Sequence, residues 1–278
     1  MGAALRDTPI ADAGRLQVLV ELGAPGGRTG ARDLETGLAV AAAVRNTRSL
    51  RLAGVAGYEG ALSHSREHDG LQVVAHYLSE LGALHHLILE RGWYDEQQRP
   101  IVTAGGSAYF DVVAAVLSSW APRARVVLRS GAYLVHDDGF YRHISPLGEL
   151  RRTDAPTLRS AMHGWVRVTS VPERGLALFD AGKRDLPYDE GLPVPQLRRA
   201  PVAGQASTAL DGARITALND QHGFLSFDPE VDPVVVGDEL RLGLSHPCTA
   251  FDKWSLIPVV DDADAADPLV VDLVRTWF

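Results

Sequence analysis

The chain has 278 residues, of which 46% are hydrophobic, with a formal charge of −8 and a single cysteine. That length supplies cores for about two domains, the acidic balance excludes a groove for nucleic acid, and one cysteine excludes an internal disulfide framework. No run approaches the ~20 apolar residues of a membrane span, and the start lacks the apolar core of a secretory signal. The chain therefore reads as cytoplasmic, with neither nucleic acid nor membrane among its partners.

From Leu16 the sequence alternates between short apolar runs and helical patterns. Leu16 to Leu22 reads as a strand, about Asp33 to Arg45 as a helix, and Leu50 to Gly57 as a second strand. Leu71, Val74, Leu78, Leu81 and Leu84 form one stripe of a longer helix. Pro100 to Ala104, a helix from about Tyr109 to Trp120, and Arg125 to Arg129 complete four β/α units, the pattern of a parallel sheet.

From about His143 the texture changes to short β-like runs separated by Gly, Pro and Asp. Gly164 to Val171, Gly175 to Asp180, Ala213 to Asn219, Gly223 to Asp228 and Leu240 to Leu244 suggest a compact antiparallel or barrel-like domain. The Pro-rich stretch Leu186 to Pro201 reads as a long loop or extended arm, and Asp261 to Asp264 as a solvated turn. The expected division is thus residues 1–142, an α/β part, and residues 143–278, a β-rich part.

Ligands of parallel sheets bind beyond the carboxyl ends of the strands. Those ends carry Gly23 to Gly30 with Arg28, then Gly57-Tyr58-Glu59-Gly60, then Gly105-Gly106-Ser107, then Arg129 to Tyr133. Gly105 to Ser107, placed at a helix start, is the strongest phosphate candidate, with Gly131 and Tyr133 completing a cup. Ordinary turn chemistry is the alternative for each motif taken singly. In Ser245-His246-Pro247-Cys248-Thr249, strand alternation would aim His246 and Cys248 at one cation, zinc being the ion that accepts both donors. The alternative is a small buried cysteine beside a His-Pro turn.

Other histidines carry less. His64 and His68 have the spacing of paired ligands but read as a solvated helix start, and adjacent His85 and His86 cannot face one partner. His136, His143 and His163 read as loop or strand-edge residues, the tryptophans as packing the core or a subunit contact, and Arg151-Arg152 and Arg198-Arg199 as solvated.

Taken in order, Glu21 to Gly30, Gly57 to Gly60, Val102 to Ser107, Arg129 to Tyr133 with Asp137, Asp180 to Arg184, His222-Gly223 and His246-Pro247-Cys248 resemble the D-serine dehydratase and D-threonine aldolase family of pyridoxal-phosphate enzymes. The resemblance implies an alanine-racemase-like β/α barrel, here only half of one, followed by a C-terminal β-domain. It implies Arg28 and Tyr58 near the pyridine ring, Gly105, Gly106, Ser107, Gly131 and Tyr133 around the phosphate, and His246 with Cys248 holding zinc. It also implies a lyase acting on a small β-hydroxy D-amino acid, and a homodimer. Aldolase members carry aspartate at the position of Cys248, which directs the expectation to the dehydratase branch and α,β-elimination. Retro-aldol cleavage is the alternative reaction, and a non-catalytic remnant or interaction subunit the alternative class.

The chain departs from that family at one decisive point. Its two lysines, Lys183 and Lys253, lie in the β-rich part, whereas the family anchors its cofactor on a lysine of an early barrel strand. Four β/α units are also half of a closed barrel. The expectation is a chain lacking the N-terminal barrel half and inactive as it stands, through a misplaced start, a gene fragment or a half supplied by another polypeptide. Gly2 to Asp12, reading as the interior of a helix and linker, favours the first.

Overall fold

The computed structural model describes residues 15–95, 98–149, 154–202 and 206–277. The helix-and-linker reading of Gly2 to Asp12 and the solvated reading of Arg151-Arg152 fall outside the described residues. Two units divide the chain, one ending at Gly131 and the other beginning at Ala132.

The first unit is a parallel sheet of β1 (Leu16–Leu22), β2 (Leu50–Gly57), β3 (Ile101–Ala104) and β4 (Arg125–Leu128), ordered as they occur in the chain. Helices α1 (Leu34–Arg45), α2 (His68–Glu90) and α3 (Phe110–Leu117) make the crossovers that parallel neighbours require. Asp33 caps α1 by accepting from the Thr36 amide at 2.7 Å. The stripe of α2 is buried at Val74, Leu78, Leu81, Leu84 and Ile88, and β2 and β3 contribute Leu52, Val55, Val102 and Ala104 to the same core. Sheet pairing slips by one residue between Val18 and Leu19, where Gly54 stands at φ +154°. A Cβ there would lie 1.9 Å from the Ile101 carbonyl oxygen, so only glycine lets β3 approach.

The second unit has a short helix α4 (Phe140–Ile144) ahead of a seven-stranded antiparallel sheet. Its strands are β5 (His163–Glu173), β6 (Leu176–Phe179), β7 (Val194–Arg199), β8 (Thr208–Ala209), β9 (Arg214–Leu218), β10 (Gly223–Ser226) and β11 (Glu239–Gly243). The spatial order is β8-β7-β11-β5-β6-β10-β9. Val166, Val168, Ala177, Phe179, Leu225, Leu240 and Leu242 form its core. Gly223 stands opposite Phe179, whose ring fills the space a Cβ would need.

Two expectations change here. The stretch Leu186 to Pro201 is not all loop: β7 runs inside it and pairs with β11, with Pro195 opposite Leu242 next to a register shift. Proline is tolerated at such an irregularity, where a missing N–H breaks no regular ladder. Arg198 and Arg199 are not solvated either. Arg198 pairs with the fully buried Asp238 at 2.6 Å, and Arg199 pairs with Glu239 at 2.7 Å while lying over Trp165.

After β11 come the short helix α5 (Pro247–Phe251) and a two-stranded ribbon, β12 (Leu256–Val260) and β13 (Val270–Arg275). Every residue of β13 is exposed, as are Trp254 and Trp277, so these two tryptophans do not pack a core of this chain. Among the described residues no helix is long and apolar enough to cross a membrane.

Candidate functional site

At the carboxyl ends of β1 to β3 the structure joins several of the residues singled out in sequence. The Arg28 guanidinium lies 5.1 Å from the centre of the Tyr58 ring, a cation–π distance. Arg129 laces the strand ends together, donating to the Gly57 carbonyl and, at 3.1 Å, to the Thr103 hydroxyl. Tyr77 reaches up from α2 to donate to the Leu22 carbonyl at 2.5 Å and to accept from the Tyr58 amide at 3.0 Å. Burial pushes the Tyr77 hydroxyl up to about 12, so it remains a donor throughout the physiological range.

Gly105 to Ser107 does not begin a helix. It forms a turn, and α3 starts only after its N-cap Tyr109, so the helix-dipole argument for phosphate does not apply to this segment. The turn is glycine-specific for another reason. A Cβ on Gly105 would come within 2.6 Å of the Arg129 amide, and one on Gly106 within 2.6 Å of Gly60 Cα. The Gly106 amide is also committed, donating at 2.5 Å to Oε1 of Glu59.

Glu59 is a residue to which sequence reasoning gave no role. It is fully buried, and Oε2 has no hydrogen-bond partner among the described residues. Burial raises its carboxyl above the usual range, against the lowering effect of the Gly106 amide and Arg129. The signal available in sequence was an acidic residue between glycines after a buried strand. Gly131 closes this unit, and a Cβ there would meet open space. Tyr133 lies in the second unit, in a 3-10 turn over Ala132–Leu134, with 41% of its surface exposed.

In the second unit, His246 and Cys248 are not on a strand. The last strand ends at Gly243, His246 caps α5 in the left-handed region at φ +58°, and Pro247 takes the first helical position. Alternation along a strand therefore does not govern where these two side chains point, because the Pro-initiated helix breaks the extended run. Cys248 is exposed, which removes the reading of it as a buried hydrophobe.

The main chain of His246 is held by Asp137, whose Oδ2 accepts its amide at 2.9 Å. Asp137 Oδ1 accepts from the amides of Gly139, Tyr141 and Arg142 at 3.1, 2.8 and 3.3 Å. Burial raises the Asp137 carboxyl, with the His246, Tyr141 and Arg142 amides opposing that rise. The His246 ring is held separately: Nδ1 lies 2.5 Å from Oδ2 of Asp189, and Oδ1 of Asp189 accepts from the Thr249 hydroxyl at 2.7 Å. No described residue bonds Nε2. A histidine with one nitrogen on a carboxylate and an exposed thiol two residues on form a donor set that suits zinc. Among the described residues no group of three or more His, Cys, Asp or Glu is placed to hold a metal.

His85 is fully buried, its Nδ1 3.0 Å from the Tyr94 hydroxyl and its ring edge-on to Trp120, and burial lowers its pKa to about 4. His68 is the exposed first residue of α2, and His64 is exposed in the bend before it, so the two are not paired on a helix. His136 is buried in a loop, while His163 is the first residue of β5, an interior strand of the sheet. Both line a cleft of about 320 Å³ with Asp138, Gln196 and Arg241. Lys183 and Lys253 both lie in the second unit, each ammonium 5.5 Å from the Tyr188 ring, with Lys253 donating to the Lys183 carbonyl at 3.0 Å. The first unit therefore offers open space beside Gly131 and an arginine over Tyr58 but no lysine. These residues suit the phosphate end of a pyridoxal cofactor and not its aldehyde end.

A half barrel of parallel β/α units followed by an antiparallel β-domain is the alanine-racemase-like architecture, and an alanine-racemase-like protein from Idiomarina loihiensis superposes with a TM-score of 0.64 at 15% identity, covering 92% of this chain and 65% of that one. Within that class, residues 161–260 match the family described as "Putative serine dehydratase domain". The D-threonine aldolase of an Arthrobacter species is 25% identical over 257 residues, which is 91% of this chain and 59% of the relative, so the chain spans about three fifths of that relative's length. The D-threonine aldolase from Filomicrobium marinum superposes with a TM-score of 0.69 at 24% identity, covering 93% of this chain and 63% of that one. The D-threo-3-hydroxyaspartate dehydratase from Delftia sp. HT23 gives 0.69 at 18% identity, covering 99% and 69%. The resemblance drawn from the sequence motifs is thus borne out, for family and fold alike.

Proposed function

We propose that this chain supplies the metal-binding β-domain and half of the cofactor barrel of a pyridoxal-phosphate- and zinc-dependent lyase, which converts a β-hydroxy D-amino acid to a 2-oxo acid and ammonia. The carrying observation is Cys248 two positions after a histidine whose other ring nitrogen already faces a carboxylate. In support, similar structures of D-threo-3-hydroxyaspartate dehydratase include a histidine-to-alanine variant and a cysteine-to-alanine variant two positions further on, the latter metal-free.

His246 and Cys248 would hold the zinc, which supplies Lewis-acid polarisation of the substrate's β-hydroxyl. Gly131 and the Gly105 to Ser107 turn would receive the cofactor phosphate, and Arg28 with Tyr58 would flank its ring; the cofactor supplies an electron sink for the bond broken at Cα. Asp137 keeps the His246 backbone in its left-handed turn, and Tyr77 and Arg129 hold the strand ends in register. No amine of the first unit can bind the cofactor covalently, so the chain alone is inactive and acquires activity with a lysine-bearing barrel half, as a homodimer.

The test is an assay of the chain, alone and joined to a lysine-bearing half, with pyridoxal phosphate and zinc. D-threo-3-hydroxyaspartate or D-serine should yield 2-oxo acid and ammonia only in the joined form. The curated relative favours a second reading, D-threonine aldolase activity. Glycine and an aldehyde from D-threonine, without 2-oxo acid from the other substrates, would establish that reading and overturn the first.

A further inference from the structure

We infer that Asp189 is a positioning residue that selects the tautomer of His246 and aims Nε2 at the zinc ion, an inference that rests on the metal role proposed for His246 and Cys248. Asp189 lies 57 positions before His246, in the arm that precedes β7, and no motif in the sequence connects the two. Its carboxylate is gripped at both oxygens: Oδ1 accepts from Thr249, three residues beyond His246, and Oδ2 lies 2.5 Å from His246 Nδ1. The neighbouring carbonyl of Glu190 accepts from the Ser245 hydroxyl at 2.7 Å, so the arm is tied to this corner on both sides of the histidine.

An ionised carboxylate only accepts hydrogen bonds, so Nδ1 must carry the proton. The ring lone pair is then left on Nε2, the nitrogen no described residue engages, and a metal takes that lone pair. With the backbone held by Asp137 and the ring by Asp189, neither rotation nor tautomer exchange is free. Metal-bound histidines are commonly held in this way, and removal of the outer partner lowers metal affinity by about 10- to 100-fold.

The experiment uses the full chain. Nitrogen NMR of the metal-free protein reads the His246 tautomer, and competition with a chromophoric chelator reads zinc affinity, for the unaltered chain and for Asp189→Ala, Asp189→Asn, Thr249→Val and Cys248→Ala. The unaltered chain should show protonated Nδ1. Asp189→Ala should show both tautomers and a zinc affinity lower by about 10- to 100-fold. Asp189→Asn, which keeps an acceptor without the charge, and Thr249→Val, which frees Oδ1, should lie between. Equal affinity in Asp189→Ala and the unaltered chain, or protonated Nε2 in the latter, would overturn the inference. If the unaltered chain shows protonated Nδ1 but binds zinc no better than Cys248→Ala, the metal reading itself fails and takes the role of Asp189 with it. The side chain of Asp189 is 42% exposed, so its loss does not open a core.

Discussion

Each unit of the molecule contains one buried carboxylate at its candidate site, and the two are equipped differently. Asp137 accepts four backbone amides, spread over both oxygens, and so has become part of the scaffold. Glu59 accepts one, from Gly106, and its second oxygen is bare. A carboxylate with its lone pairs filled fixes the chain around it, whereas one left half filled carries an unmet desolvation cost that a bound donor can relieve. The corner around His246 is therefore built before any ligand arrives, and the corner around Glu59 is built incompletely.

The sharpest way to break this comparison is Asp137→Asn, which turns one acceptor into a donor facing the amides that the carboxylate now accepts from. We expect a loss on the order of 3 kcal/mol in urea unfolding at pH 7; a loss too small to measure would show that the cage is not structural. Acid response comes next. His85 is held neutral with a pKa of about 4, below its unfolded value, so its contribution is complete above about pH 6.5 and fades as pH falls toward 4. Its share is about 3 kcal/mol, and it should vanish from the pH profile of His85→Gln.

Gly106→Ala tests whether the corner around Glu59 tolerates any side chain at all. A Cβ 2.6 Å from Gly60 Cα forces the backbone to move, and the expected cost is about 2 kcal/mol by the same denaturation measurement. The smallest effect is expected at Glu59, with the opposite sign. Because burial raises its folded-state pKa, its contribution is complete below the unfolded value and is lost as pH rises through the folded one. Glu59→Gln, which still accepts from Gly106, should gain stability over the unaltered chain at pH 7 and not at pH 4. A loss at pH 7 would mean that Oε2 has a partner in solution.

The same contrast explains what could be read from the sequence. The elements of the first unit follow from local periodicity: β1 and β2 occupy Leu16–Leu22 and Leu50–Gly57 as expected, because each strand of a parallel sheet is apolar throughout and is followed by its own helix. In the second unit pairing is non-local. β7 was hidden by Pro195, and β13 by its exposure, since neither has the half-buried alternation that marks a strand. Of the sites, His246 and Cys248 were legible as residue types but not in geometry, which depends on a proline-started helix. Asp189 and Glu59 were not legible, because their roles come from contacts 57 and 47 positions away.

The two lysines leave a practical legacy. Because Lys183 and Lys253 share the face of one tyrosine ring, every side-chain amine of this chain is concentrated at a single spot. Among side chains, amine-directed cross-linkers and reductive methylation would report on that spot alone, which leaves the α-amino terminus as the other place such reagents can mark. Any pyridoxal fixed there by borohydride would mark Tyr188's neighbourhood, and peptide mapping would tell it apart at once from a cofactor carried by a barrel strand.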